Sequence, residues 1–204
     1  MLTTTDAIVL SLQPHSDKAH VLHAYTRAGG RINYMVYGLG KKKSAGTYSP
    51  LSIVQITTDN KSIRTAQLSY VPTSITTDPY KRTIALFLSE VLYSVLRHPM
   101  MDEPMFDFLV ASIKELDSLP ASSNPLTLSS PNPLPNFHLQ FLIDFAAKLG
   151  FAIPEGNPLT HSSTHPLTRK ERQAALRALC DYFEEHVETW QSPRSLDVLM
   201  EVFD

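Results

Sequence analysis

Lys18-Ala-His-Val-Leu-His-Ala-Tyr-Thr-Arg-Ala-Gly-Gly-Arg-Ile-Asn-Tyr-Met-Val-Tyr-Gly38 places two runs of β-branched and aromatic residues on either side of a short break, Arg27-Ala-Gly-Gly-Arg31. Paired glycines supply the backbone angles of a tight reversal, so the stretch predicts a β-hairpin. Working outward, three further runs have the same character: Asp6 to Leu12 before it, then Leu51 to Thr58 and Ser62 to Val71 after it. Turn chemistry separates them at Gln13 to Asp17, Gly40 to Pro50 and Thr58-Asp-Asn-Lys61. Five short strands in about 70 residues leave no room for crossover helices, which excludes a parallel α/β sheet. A small closed barrel is expected, because closure pairs edges that an open sheet would leave exposed.

Beyond Val71 the period becomes helical. Asp78-Pro79 is an N-cap followed by proline at the first position, and Ile84, Leu88, Val91, Leu92 and Val95 recur on one face. A second helix begins near Asp102 or Glu103, with Met105, Phe106, Leu109, Ile113 and Leu116 as its stripe. Ser118 to Pro135, rich in proline and serine, reads as a mobile linker. Phe137 to Leu149 is apolar on two faces and predicts the most buried helix, ended by Gly150. Thr168-Arg-Lys-Glu171 is a capping box opening a fourth helix, and Ser192-Pro193 reads as cap and first position of a fifth. The fold class is therefore α+β and multi-domain, with a barrel over residues 1–77 and an all-α part over 78–204.

Composition narrows the chemistry. Hydrophobic residues make up 43% and charged residues 19% of 204 residues, which is globular usage. No apolar run reaches a membrane span, and Met1-Leu-Thr-Thr-Thr-Asp6 lacks a secretory pattern, so a cytoplasmic location is expected. The single cysteine, Cys180, excludes an internal disulfide and a four-cysteine zinc site, and its place on an apolar stripe marks it as an inert buried thiol. His161 and His165 lie in a loop with no cysteine or carboxylate nearby, and strand alternation keeps His15, His20 and His23 from forming one face. Gly38-Leu-Gly-Lys41 is too short for a nucleotide-cradling loop. No metal, cofactor or catalytic constellation is expected, and the chain does not read as an enzyme.

Charge is unevenly distributed. Residues 1–80 hold eight Lys or Arg against four Asp, a net charge of +4, whereas the remainder carries −6. A basic piece tethered to an acidic one suggests a polyanion partner for the first. The densest feature is Tyr37-Gly-Leu-Gly-Lys-Lys-Lys-Ser44, where Lys41, Lys42 and Lys43 repel one another unless solvated or facing phosphates. Arg27 and Arg31 flank the first hairpin and Arg64 lies on the fifth strand, which extends the possible phosphate track. Tyr25, Tyr34, Tyr37, Tyr48 and Tyr70 offer aromatic faces for base stacking, with Tyr34 placed among the strand-contacting residues. Alternation separates Ile32, Tyr34 and Val36 from Asn33, Met35 and Tyr37 without saying which set is inside.

Ala7-Ile-Val-Leu10, Tyr25-Thr-Arg-Ala-Gly-Gly-Arg31, Tyr37-Gly-Leu-Gly-Lys-Lys-Lys-Ser44 and Leu51, in that order, resemble the N-terminal domain of the bacterial recombination mediator family RecO. Phe137 to Phe151 with Pro154 after it, and Ser195-Leu-Asp-Val-Leu199, resemble that family's later helices. The resemblance implies that the barrel is an OB fold. It also implies recombinational DNA repair through binding of single- and double-stranded DNA, strand annealing and recombinase loading. The implied partners are RecR and the C-terminal tail of single-strand binding protein, at the nucleoid. Lys41, Lys42, Lys43 and Arg31 match the family's basic positions. The four-cysteine zinc module of many members is missing, since residues 150–168 contain no cysteine, so metal-free folding is expected. Two other readings of the same residues are an OB-fold RNA-binding protein and a protein-interaction scaffold without nucleic acid.

Overall fold

The computed structural model describes residues 1–39, 46–120, 134–154 and 167–202. Lys41 to Lys43, most of the proline-rich stretch and the His161 and His165 pair therefore lie outside the described residues.

Five strands, β1 (Leu2–Ser16), β2 (Ala19–Thr26), β3 (Gly30–Tyr37), β4 (Ile53–Asp59) and β5 (Ser62–Leu68), form a closed barrel in the order β1-β2-β3-β5-β4. β1 is longer than its apolar run because it serves two neighbours. Leu2 to Ile8 pair with β4, and Ala7 to Ser16 pair with β2 across irregularities between Val9 and Ser11 and between Pro14 and Ser16. Pro14 was expected in a turn but sits in the strand, beyond the last β4 partner, where its missing N–H breaks no second ladder. Closure comes from one parallel pairing, Met35 with Ser62, where Met35 N donates to Lys61 O at 2.7 Å. Asn60 makes the β4–β5 reversal at φ 54°, a conformation its side chain tolerates.

Alternation gives the barrel two apolar faces. Ala7, Val9, Leu22, Ala24, Tyr34, Val36, Val54 and Ile56 fill its interior. Ile8, Leu10, Tyr25 and Ile53 point outward and merge with the helical core. That core is built by α1 (Pro79–Val95), α2 (Glu103–Ser118), α3 (Phe137–Lys148), α4 (Arg169–His186) and α5 (Leu196–Val202). Asp78 caps α1 by accepting from Tyr80 N and Lys81 N, and Thr168 with Glu171 forms the capping box of α4. α3 buries Phe137, Leu139, Phe141, Leu142, Phe145 and Ala146, as its two apolar faces require. α5 starts three residues after Pro193, because Ser192-Pro193 forms a preceding turn in which Leu196 N donates to Pro193 O. Burial pushes the Cys180 thiol up to about 12, consistent with an inert side chain.

The connector between barrel and helices is held by one carboxylate. Asp117, 3% exposed, accepts from the backbone N–H groups of Thr73, Ser74 and Ile75, each at 2.8 Å, and from the Tyr70 hydroxyl at 2.7 Å. Burial alone would raise its pKa, but those N–H donors hold it well below the usual carboxylate range. The buried Lys81 ammonium completes the knot by donating to Asp117 O, Leu119 O and Ser74 Oγ.

Candidate nucleic-acid interface

β3 organises the basic face. Its interior set is Ile32, Tyr34 and Val36, so Arg31, Asn33, Met35 and Tyr37 face outward. Arg31 is the second residue of the strand and Tyr37 ends it, about 20 Å away at the usual strand rise. Gly38 and Leu39 then lead toward the lysine run, while Gly38 N donates to Lys18 O at 3.2 Å. Because Lys61 O accepts from Met35 N, the barrel's closing contact brings Lys61 beside the middle of β3. Arg31 and Lys61 thus put cationic positions at the start and beside the middle of this strand, and in sequence three residues separate its end from the lysine run.

The expected site residues separate into distinct environments. Arg31 is half-buried. Its Nη1 donates to Tyr93 O at 2.7 Å and its guanidinium lies 4.0 Å over the Tyr93 ring, with no carboxylate contact among the described residues. Burial pushes its pKa down, against the favourable interaction with Tyr93. Arg27 is committed elsewhere. It bonds Glu103 at 2.8 Å and Asp107 at 2.5 Å on α2, and it stacks over Phe106 at 4.6 Å. Its charge fastens the hairpin to the helical part, which removes it from the open face. Arg64 is exposed on β5 and pairs with Asp59 at 2.9 Å, so its charge is largely balanced locally.

Tyr34 is corrected by its position. It is 5% exposed in the barrel interior, where no ring face is open to a base. Tyr25 is buried against Phe106, and Tyr70 donates to Asp117. Tyr37, by contrast, is 60% exposed at the lysine end of β3 and has the free aromatic surface that stacking needs. The alternation of β3 was readable from sequence, but the choice of face depends on which side the barrel encloses. Lys61 is not among the expected residues for a related reason, since only closure between β3 and β5 brings a β4–β5 turn to this strand.

The hairpin that presents Arg31 is itself wedged against the helical part. Gly30 has φ +63°, and a Cβ there would lie 2.3 Å from Met100 O and 2.8 Å from His98 O. Arg31 N donates to His98 O at 3.3 Å across the same contact. The described residues contain no His, Cys, Asp or Glu cluster suited to a metal, and no described helix is long and apolar enough to cross a membrane.

A family model described as Recombination protein O N terminal matches residues 1–78. Among curated relatives, the DNA repair protein RecO of Flavobacterium johnsoniae is 30% identical over 252 residues. Proteins of the same name from Phocaeicola vulgatus and Porphyromonas gingivalis are 29% and 28% identical. In each case the alignment covers the whole of both chains.

Proposed function

The chain belongs to the RecO family of bacterial DNA repair proteins, and from that premise we propose that it binds DNA strands along the outward face of β3 and anneals complementary ones. The observation that carries this reading is the line formed by Arg31, Lys61 and the residues leading to Lys41, Lys42 and Lys43, with exposed Tyr37 at its end. Cations seated on phosphates release counterions and bind backbone without regard to sequence. A tyrosine ring accepts any base, so the combination suits strands of unspecified sequence. Two neutralised strands brought to one surface repel each other less, which allows pairing. The role is non-catalytic. Single- and double-stranded DNA are the nucleic-acid partners in this proposal. RecR and the tail of single-strand binding protein, implied by the resemblance, are the protein partners in cytoplasmic recombinase loading.

A fluorescence-quenching assay with complementary oligodeoxynucleotides tests the reading. The protein is expected to accelerate duplex formation at low salt, with unlabelled single-stranded DNA competing better than RNA of equal length. Clear RNA preference would support the RNA-binding alternative. Absence of both annealing and retention on DNA-cellulose would leave the interaction scaffold.

A further inference from the structure

Where β3 meets the end of α1, a groove of about 620 Å3 opens between the barrel and the helical part. Arg31, Asn33, Lys61, Tyr93, Arg97 and Gln191 line it, bringing four distant stretches of sequence together. Three of the lining residues are cations and none is a carboxylate. Arg97, though exposed, is also held in place, since its Nε donates to Ser94 O and its Nη2 to Thr189 O, each at 3.1 Å. Both guanidiniums are therefore aimed by neutral carbonyls, with no ion pair to a carboxylate among the described residues. The contrast with Arg27 and Arg64 is chemical, because those two side chains meet carboxylates.

Holding like charges in one partly enclosed groove is unfavourable in the free protein. Burial, and to a smaller extent the Arg97 charge, oppose ionisation of Arg31. An anion seated between the cations removes that penalty, and guanidinium is well suited to phosphate oxygens. The volume is that of a small-ligand site, within the range of about 300 to 1,000 Å3. It has space for a short stretch of one strand. A duplex presents two backbones and a stack of base pairs, which exceeds this volume, and would have to remain outside.

We propose that Arg31, Arg97 and Lys61 form a phosphate clamp that draws a single nucleic-acid strand into the seam between barrel and helices, and so distinguishes single strands from duplex. This inference rests on the strand-binding reading above and adds to it a second contact, made by α1 and the segment around Gln191. The seam holds the unpaired strand, while duplex is confined to the open end of β3.

Titration of the full chain with labelled oligothymidylate and with a duplex of equal length, each over a range of salt, tests the clamp. Arg97→Gln is expected to weaken oligothymidylate binding roughly tenfold and to flatten its salt slope by about 0.7, with duplex affinity unchanged. Lys61→Gln, at an exposed hairpin position, should weaken oligothymidylate binding by a similar factor independently of any disturbance at α1, and Arg97→Gln alone carries the comparison with duplex. Trp190 is the single tryptophan and adjoins Gln191, so oligothymidylate should alter its fluorescence in the parent protein and do so less in Arg97→Gln. Parental affinity and slope in both variants would overturn the clamp while leaving strand binding intact. Equal losses for single strand and duplex would also overturn it. Failure of the parent to bind either DNA would instead overturn the functional reading itself.

Discussion

His138 shows how a buried polar side chain links packing to pH. It is 3% exposed on α3, edge-on to Phe87 at 6.4 Å, and burial, with a smaller contribution from the Arg172 charge, pushes its pKa down to about 3. The folded chain therefore holds a neutral imidazole, whereas the unfolded chain takes up a proton below about pH 6.5. Because the folded pKa is the lower one, this stability is fully present above pH 6.5 and is lost as pH falls toward 3. The loss is about 1.4 kcal/mol per pH unit. Urea midpoints between pH 7 and 5 should fall less steeply in His138→Leu than in the parent, and equal slopes would contradict the assignment. Little of this was legible in sequence, since one histidine in an apolar run fits a buried or an exposed position equally well. The paired glycines before Arg31 were legible as a turn, while the burial of Tyr34 instead of Tyr37 required knowledge of the enclosed side.

At the scale of elements, the β2–β3 hairpin is the piece that places the basic face. Its turn sequence was readable, but the reason for glycine at position 30 was only half visible. The positive φ suits the turn, and the lack of a side chain also lets the chain around His98 and Met100 pack directly on it. Gly30→Ala is expected to destabilise the protein by about 1 to 3 kcal/mol from backbone strain alone, with the Met100 carbonyl clash adding to that cost. A urea melt measures the loss, and parental stability would show that this contact can be relieved. Helix starts were legible because capping chemistry is local, as Asp78 and Thr168 illustrate. The length of β1 was not, since Leu2 to Thr5 and Gln13 to Ser16 are recruited by partners on opposite edges and not by their own apolar pattern.

Across the whole molecule, barrel and helices are separate in sequence pattern yet share apolar packing through Ile8, Leu10, Tyr25 and Ile53. Alternation could identify a second apolar face on the strands, but not that helices would cover it. The charge split was equally visible, and part of it is spent internally, where Arg27 of the basic part meets Glu103 and Asp107 of the acidic part. What remains along the open side is Arg31, Arg97 and Lys61, and the proposed DNA-binding line adds Lys41, Lys42 and Lys43, which follow β3 in sequence. The most direct test of that line is the dependence of oligothymidylate affinity on salt. Six seated cations predict a log–log slope of about −4 for the parent, and replacing Lys41, Lys42 and Lys43 by alanine should bring it to about −2. A slope near zero, or one left unchanged by the triple substitution, would contradict the account.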